Sequence, residues 1–261
     1  MLLFTTYRKI LDYSMCSNDT DHVRRRLQTR WVELDRDHTD HGRGVSMPPM
    51  QKPCSGTSIP LPDPSLPKTA GISVADAIQR RASHRTFSDT PITLEELSYL
   101  LWATQGVHRH TAKASFRTVP SGGARHPLET YLFCSRVAGF HPGLYRYLPF
   151  DHALCSYGPV AHMENVLDEA LLQHHFGGAV DFVWAAVPYR SEWKYGSESL
   201  RLILLDAGHV CGQLYLACED VGCGTCAVGA YDQDKLDALI GLDGYDEFAV
   251  YAAPVGKTAK R

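Results

Sequence analysis

The stretch DVGCGTCAVGAYD, residues 220–232, offers two kinds of chemistry. Cys223 and Cys226 have the Cys-x-x-Cys spacing of half a zinc site or of a redox dithiol. Zinc needs four ligands, however, and the nearest further thiols, Cys211 and Cys218, fall on the apolar stripe of a predicted helix. No second pair with zinc-ribbon spacing is present. A redox dithiol would open a helix after a strand, whereas this pair trails a helix. No metal site is therefore assigned. The glycines at 222, 224 and 229 also miss the dinucleotide fingerprint, which needs a strand before them and a helix opening within them. What remains is a glycine-rich segment whose main-chain amides can lie against a flat ligand.

Three other stretches carry compatible chemistry. RRASHRTF sets Arg81, Ser83 and Arg85 at a predicted helix end, two cations and a hydroxyl suited to a phosphate monoester. PSGGARHPLE is a second glycine turn, with Arg125 and His126 beside it, leading directly into a strand. PYRSEWKYGSES follows a predicted buried strand and places Lys194 and Tyr195 in what reads as a loop at that strand's carboxyl end. Together these describe a site for a phosphorylated planar cofactor. His38 and His41, in an Asp-rich solvated run, are assigned no role.

The elements that must position these groups are legible from residue 73 onward. SVADAIQRRAS and TLEELSYLLWATQG read as two short helices, the second opening on a Thr93/Glu96 capping box. LETYLFCSRV alternates as a strand, GLYRYLPFDHALCSYG reads as a hairpin, and a helix follows near 161–175. AVDFVWAAVPY reads as a strand buried on both faces. SLRLILLDAGHVCGQLYLACEDVG keeps helical spacing to Gly222 and is the expected central helix. A last helix in DQDKLDALIG and a last strand in EFAVYAAPVG complete an α+β domain over 73–261. Residues 1–72, with RRR at 24–26 and a proline-rich tract, read as a partly irregular, poorly packed arm that opens on a short amphipathic segment rather than an export signal.

Composition narrows the function classes. The chain has 261 residues with 44% apolar content, enough for a buried core. A net charge of -3 with mixed signs gives no basic field for nucleic acid, and no apolar run suits a membrane crossing. The eight cysteines are expected to be reduced in a cytoplasmic setting, with no disulfide.

From residue 73 to about 257 the chain resembles the FMN-dependent nitroreductase superfamily, and within it the SagB-type dehydrogenase branch related to azoline oxidases. The likeness runs in order through RRASHRTF, PITLEELSYLLWATQGV, RTVPSGGARHPLETY, PGLYRY, WKYGSES, LLDAGHV and GCGTCAVGAYD. It implies a central, mostly antiparallel sheet flanked by helices, with the long helix at the interface of a homodimer that holds FMN. Arg81, Ser83, Arg85 and Lys257 would bind the flavin phosphate. Pro120, Ser121, Gly122, Gly123, Ala124 and Arg125 would line the ring, and Val228, Gly229 and Ala230 would present amides to its N5 and O4 edge. Lys194 and Tyr195 match a catalytic pair of azoline-oxidising relatives; Glu198 and Leu200 stand where those relatives carry Arg and Tyr. The expected activity is hydride transfer from NADH, NADPH or an organic donor to a small-molecule acceptor by alternating half reactions. Two alternatives stand beside it: an azoline dehydrogenase acting on peptides, and a flavin or metal carrier without turnover.

Overall fold

The structure is a computed structural model that describes residues 17–65, 67 and 69–258. The expected amphipathic opening at 1–15 lies outside the described residues. The chain divides into two compact units, Met1–Leu34 and Asp35–Arg261. Within the first, helix α1 spans Ser17–Leu27 and ends in three arginines. All that follows concerns the second unit.

Its centre is a seven-stranded sheet, antiparallel throughout, in the order β1-β6-β5-β4-β7-β9-β8. The strands are β1 Thr57–Pro60, β4 Leu128–Cys134, β5 Gly143–Leu148, β6 Ala153–Gly158, β7 Val180–Ala186, β8 Cys223–Thr225 and β9 Phe248–Lys257; β2 Val107–His110 and β3 Ser115–Arg117 form a separate hairpin. Every residue of β4 and β7 is buried, and alternate side chains enter opposite cores. Leu132, Phe182, Trp184 and Val255 pack under helices α3 (Leu94–Gln105) and α6 (Ser199–Asp220). Tyr131, Phe133, Val183 and Ala185 pack under α4 (Met163–Ala170) and α7 (Gln233–Ile240). Two helical layers thus explain why β7 is buried on both faces.

Local signals act as expected at several ends. The Thr93 hydroxyl accepts from the Glu96 amide while the Glu96 carboxylate accepts from the Thr93 amide, a pair of caps that starts α3. Asp232 caps α7 through the Lys235 amide. Helix α2 covers Val74–Arg80 under its Ser73 cap. PYRSEWKYGSES differs from its expectation: Tyr189–Tyr195 forms helix α5 rather than a loop. Its start carries no side-chain cap and it is two turns long, too short for apolar periodicity to declare itself.

The second compact unit also takes in residues 35–72 of the expected arm. Residues 49–62 form a strap across the sheet, fastened by buried arginines from other elements. Arg190 Nε donates to the Pro49 carbonyl at 2.9 Å, Arg117 Nη2 to Met50 at 3.2 Å, and Arg146 Nη2 to Pro53 at 2.8 Å. The strap then adds β1 to the edge of the sheet beside β6. A proline-rich, charge-mixed composition reads as loose because the partners that hold it lie about a hundred residues away.

The cysteine expectation is also corrected, because Cys54 on the strap is bonded to Cys155 on β6, with Cα atoms 5.6 Å apart. Their separation of 101 residues gave no spacing signal. Closing so long a loop stabilises the native chain, by about 2–4 kcal/mol in typical cases. Cys155→Ser, or incubation with dithiothreitol, is expected to lower the melting temperature by roughly 4–16 °C. An unchanged melt under both treatments would show that the strap is held by its arginine contacts alone.

Candidate active site

The phosphate-suited residues lie where the chain leaves α2. Residues 81–85 run extended beside β8, with a parallel bridge between Ser83 and Thr225 and the His84 amide donating to the Thr225 carbonyl at 2.9 Å. The period of two in an extended segment puts Arg81, Ser83 and Arg85 on one side, and all three are exposed. Gly224 makes this crossing feasible, since a Cβ there would lie 2.6 Å from the His84 ring. Tyr215 on α6 ties the cluster to the cysteine-bearing segment. Its hydroxyl accepts from the Ala227 amide at 2.7 Å and lies 3.1 Å from Ser83 Oγ, while the Arg81 guanidinium sits 5.4 Å from its ring centre. Sequence reading passed over Tyr215, whose helical position marked it only as part of α6.

Lys257 is placed differently from its three expected companions. Its ammonium donates to Glu96 Oε1 at 2.6 Å and to the Val221 carbonyl at 2.7 Å, so an incoming phosphate would have to compete with a carboxylate. The thiols are core groups in this structure. Cys223 pairs with Lys257 in the sheet, and burial pushes its pKa up to about 12, which keeps it protonated and a poor nucleophile. Among the described residues no group of three or more His, Cys, Asp or Glu is arranged to hold a metal.

Of the three amides expected at the flavin edge, one is already spent. Val228 donates to the Ala252 carbonyl at 2.7 Å and accepts back from the Ala252 amide at 3.1 Å. That bridge fixes the following residues, Gly229 and Ala230, which are exposed and whose amides have no partner among the described residues.

The second glycine turn is held from two sides. Asp206, buried on α6, accepts from Ser121 Oγ at 2.5 Å and from the Gly122 amide at 3.0 Å. Burial raises the Asp206 carboxyl pKa, and these two donors oppose the shift. On the other side Tyr195 presses its hydroxyl so close that a Cβ at Gly123 would lie 1.9 Å from it; Gly123 also has a positive φ of 61°. Ala124 and His126 adopt φ of 55° and 45°, a conformation that costs a non-glycine residue about 1–3 kcal/mol. The surroundings impose it. The His126 amide donates to Ser121 Oγ at 2.8 Å, and burial pushes the His126 ring pKa down to about 3, so Nε2–H of a neutral ring donates to the Ser115 carbonyl at 3.1 Å. Asp206 had no sequence signal beyond being an acid within the apolar-striped helix α6.

Arg125 ends this turn. It is 3% exposed, its Nε donates to the Arg190 carbonyl at 3.0 Å, and its guanidinium lies 5.1 Å from the Trp193 ring centre. Its Nη2 is buried and has no hydrogen-bond partner. An orphaned guanidinium nitrogen is costly to bury and is suited to an electron-rich oxygen. Lys194 follows Trp193 on α5, its ammonium 5.3 Å from the Tyr195 ring centre. The structure therefore brings Pro120, Ser121, Gly122, Gly123, Ala124 and Arg125 together with Tyr195, and brings Arg81, Ser83 and Arg85 together with the 227–230 segment.

It does not merge the two groups around one chain. Tyr215 anchors one and Asp206 the other, nine residues apart on α6, which is about 14 Å along the axis and two and a half turns, on opposite faces. The orphaned Arg125 nitrogen, the two open amides and the Arg-Ser-Arg row are a donor set that fits a phosphorylated flavin, divided into halves.

A large antiparallel sheet flanked by helical layers, with one long helix among them, is an α+β fold of the nitroreductase type. Residues 78–257 match the Nitroreductase family, and the chain belongs to that family. It is 32% identical over 202 residues to a Methanocaldococcus jannaschii protein named as a nitroreductase, MJ1384, covering 74% of this chain and 94% of that one. It is 28% identical over 165 residues to the trifolitoxin-processing protein TfxB of Rhizobium leguminosarum bv. trifolii, covering 60% of this chain and 44% of TfxB, so the match takes in less than half of that relative. A crystal structure of a Ralstonia eutropha protein named as a nitroreductase superposes with a TM-score of 0.64 at 26% identity, covering 81% of this chain and 95% of its own.

Proposed function

We propose that the protein is an FMN-dependent oxidoreductase that passes hydride between a donor, NADH, NADPH or an organic substrate, and a small-molecule acceptor in alternating half reactions. The observation that carries this reading is the row Arg81, Ser83 and Arg85, linked through Tyr215 to the segment that ends in the open amides of Gly229 and Ala230. Arg81, Ser83 and Arg85 would hold the flavin phosphate, and the two amides would meet the ring edge. Arg125 would supply its unpartnered nitrogen where negative charge gathers. A bound flavin supplies reversible hydride acceptance. Tyr195, beside Gly123, and Lys194 would hold or deliver a proton to the substrate.

Because the halves sit on opposite faces of α6, a homodimer that sets one chain's turn against its partner's phosphate row completes the site. Leu205, half exposed on α6, and Gly208 and Gly212, which have open space where a Cβ would be, form one outward row for such contact. Purified protein is expected to be yellow, to release FMN on denaturation, and to bleach anaerobically with NADH or NADPH. A colourless protein that ignores added FMN in a titration overturns the reading.

The likeness to TfxB, together with the Lys194–Tyr195 pair, favours a second reading, an azoline dehydrogenase in peptide modification. Bleaching by a thiazoline peptide, lost in Lys194→Ala, would select it; unchanged thiazoline turnover in that variant would remove it.

A further inference from the structure

Between α5, the start of α6, the 244–246 turn and β9 lies a cavity of about 340 Å³. Small-molecule sites are typically of this size, mostly apolar with a few convergent polar groups. The α6 and β9 sides are apolar, through Leu200, Leu204 and Phe248. Two carboxylates, Glu192 and Asp246, both exposed, complete the lining, and no lysine, arginine or histidine lines the space. Among the described residues neither carboxylate has a hydrogen-bond or ion-pair partner.

Two uncompensated negative charges beside an apolar wall leave one kind of occupant favoured over others. An anion would be repelled. A neutral apolar molecule would cover the wall but deepen the desolvation of both carboxylates. An organic cation with an apolar body covers the wall and neutralises the carboxylates. Burial, and then the charge of Asp246, already raise the Glu192 pKa, which is the penalty that a bound cation would relieve. The Tyr189 and Tyr245 rings at the cavity lining add surfaces on which an ammonium can rest.

The cavity also has a place in the proposed reaction. Glu192 and Tyr195 are three residues apart on α5, on one helix face, so a molecule seated at Glu192 extends along the helix that carries Lys194 and Tyr195. Leu204, on the cavity wall, stands one turn before Gly208, so the cavity borders the face of α6 on which a second copy would dock.

We propose that this cavity binds the ammonium-bearing, apolar end of the enzyme's small-molecule substrate, an alkyl- or arylalkylamine, with Glu192 and Asp246 as its counter-charges. The substrate role rests on the oxidoreductase reading above; the binding does not.

The probe is phenethylammonium, titrated calorimetrically into the purified full-length protein, with phenethyl alcohol as its neutral counterpart. Saturable one-site binding of the amine is expected, with the alcohol about tenfold weaker or more. Glu192→Gln and Asp246→Asn should each weaken the amine by about three- to tenfold while leaving the melting temperature unchanged. No saturable binding, equal affinity for amine and alcohol, or unaltered affinity in both variants would overturn the assignment. So would amine binding that appears only on dilution to monomer, since a second copy would then be the occupant. Loss of amine binding in protein that takes up FMN normally sinks the cavity alone. Normal amine binding in protein that takes up no FMN sinks the oxidoreductase reading and with it the substrate role.

Discussion

Glu129→Ala is expected to cost about 3–5 kcal/mol of stability and roughly 6–20 °C of melting temperature, because it strands two buried guanidinium groups. Glu129 on β4 is 3% exposed; it accepts from Arg146 at 2.7 Å, from Arg190, and from the Lys52 amide of the strap at 3.1 Å. Arg146 is fully buried and Arg190 is 2% exposed. Burial alone would raise the Glu129 pKa, but Arg190 and Arg146 outweigh it and hold the carboxyl below its ordinary value of 4.5. A depressed carboxyl pKa adds stability that is fully present above the unfolded-chain value and is lost as pH falls through the folded one. Wild-type protein should therefore lose stability steeply below about pH 4.5, and the variant should show a flatter acid limb. Thermal melts across pH 3–8 measure both. A loss below about 1 kcal/mol would mean that the arginines find other acceptors. Function should suffer too, since Arg190 is also the residue whose carbonyl holds Arg125.

The double variant Arg81→Ala/Arg85→Ala should weaken FMN binding by about 10²-fold or more at low salt, where charge-assisted phosphate contacts count most. Both side chains are exposed, so the loss should shrink as ionic strength rises. Riboflavin, which lacks the phosphate, provides the discriminating arm in a fluorescence titration. Its affinity should change little in the double variant. An equal loss for riboflavin and FMN would show that these arginines shape the site without touching phosphate.

The parts of this molecule readable in its sequence are those whose causes are local. The capping box of α3, the apolar stripe of α6 and the doubly buried β7 each announce themselves within a dozen or so residues. Arg81, Ser83 and Arg85 read from the sequence only as two cations and a hydroxyl near a helix end, and the extended backbone beside β8 is what sets them on one side. The strap at 49–62, the Cys54–Cys155 bond and the Asp206 and Tyr215 anchors were not, because each depends on a partner 12 to about 140 residues away. Val228 shows a subtler limit: the family resemblance implies a ligand-facing amide there, and only the pairing with Ala252 reveals that the donor is taken.

The division of the donor set between opposite faces of α6 has a genetic consequence. In the proposed homodimer each pocket draws its phosphate row from one chain and its glycine turn from the other. A chain defective at Arg81 and Arg85 and a chain defective at Ser121 would each be inactive alone. Expressed together, they would assemble mixed dimers in which one pocket inherits both lesions and the other inherits neither. Two null alleles of this gene would then complement one another, restoring up to one functioning pocket in each mixed pair.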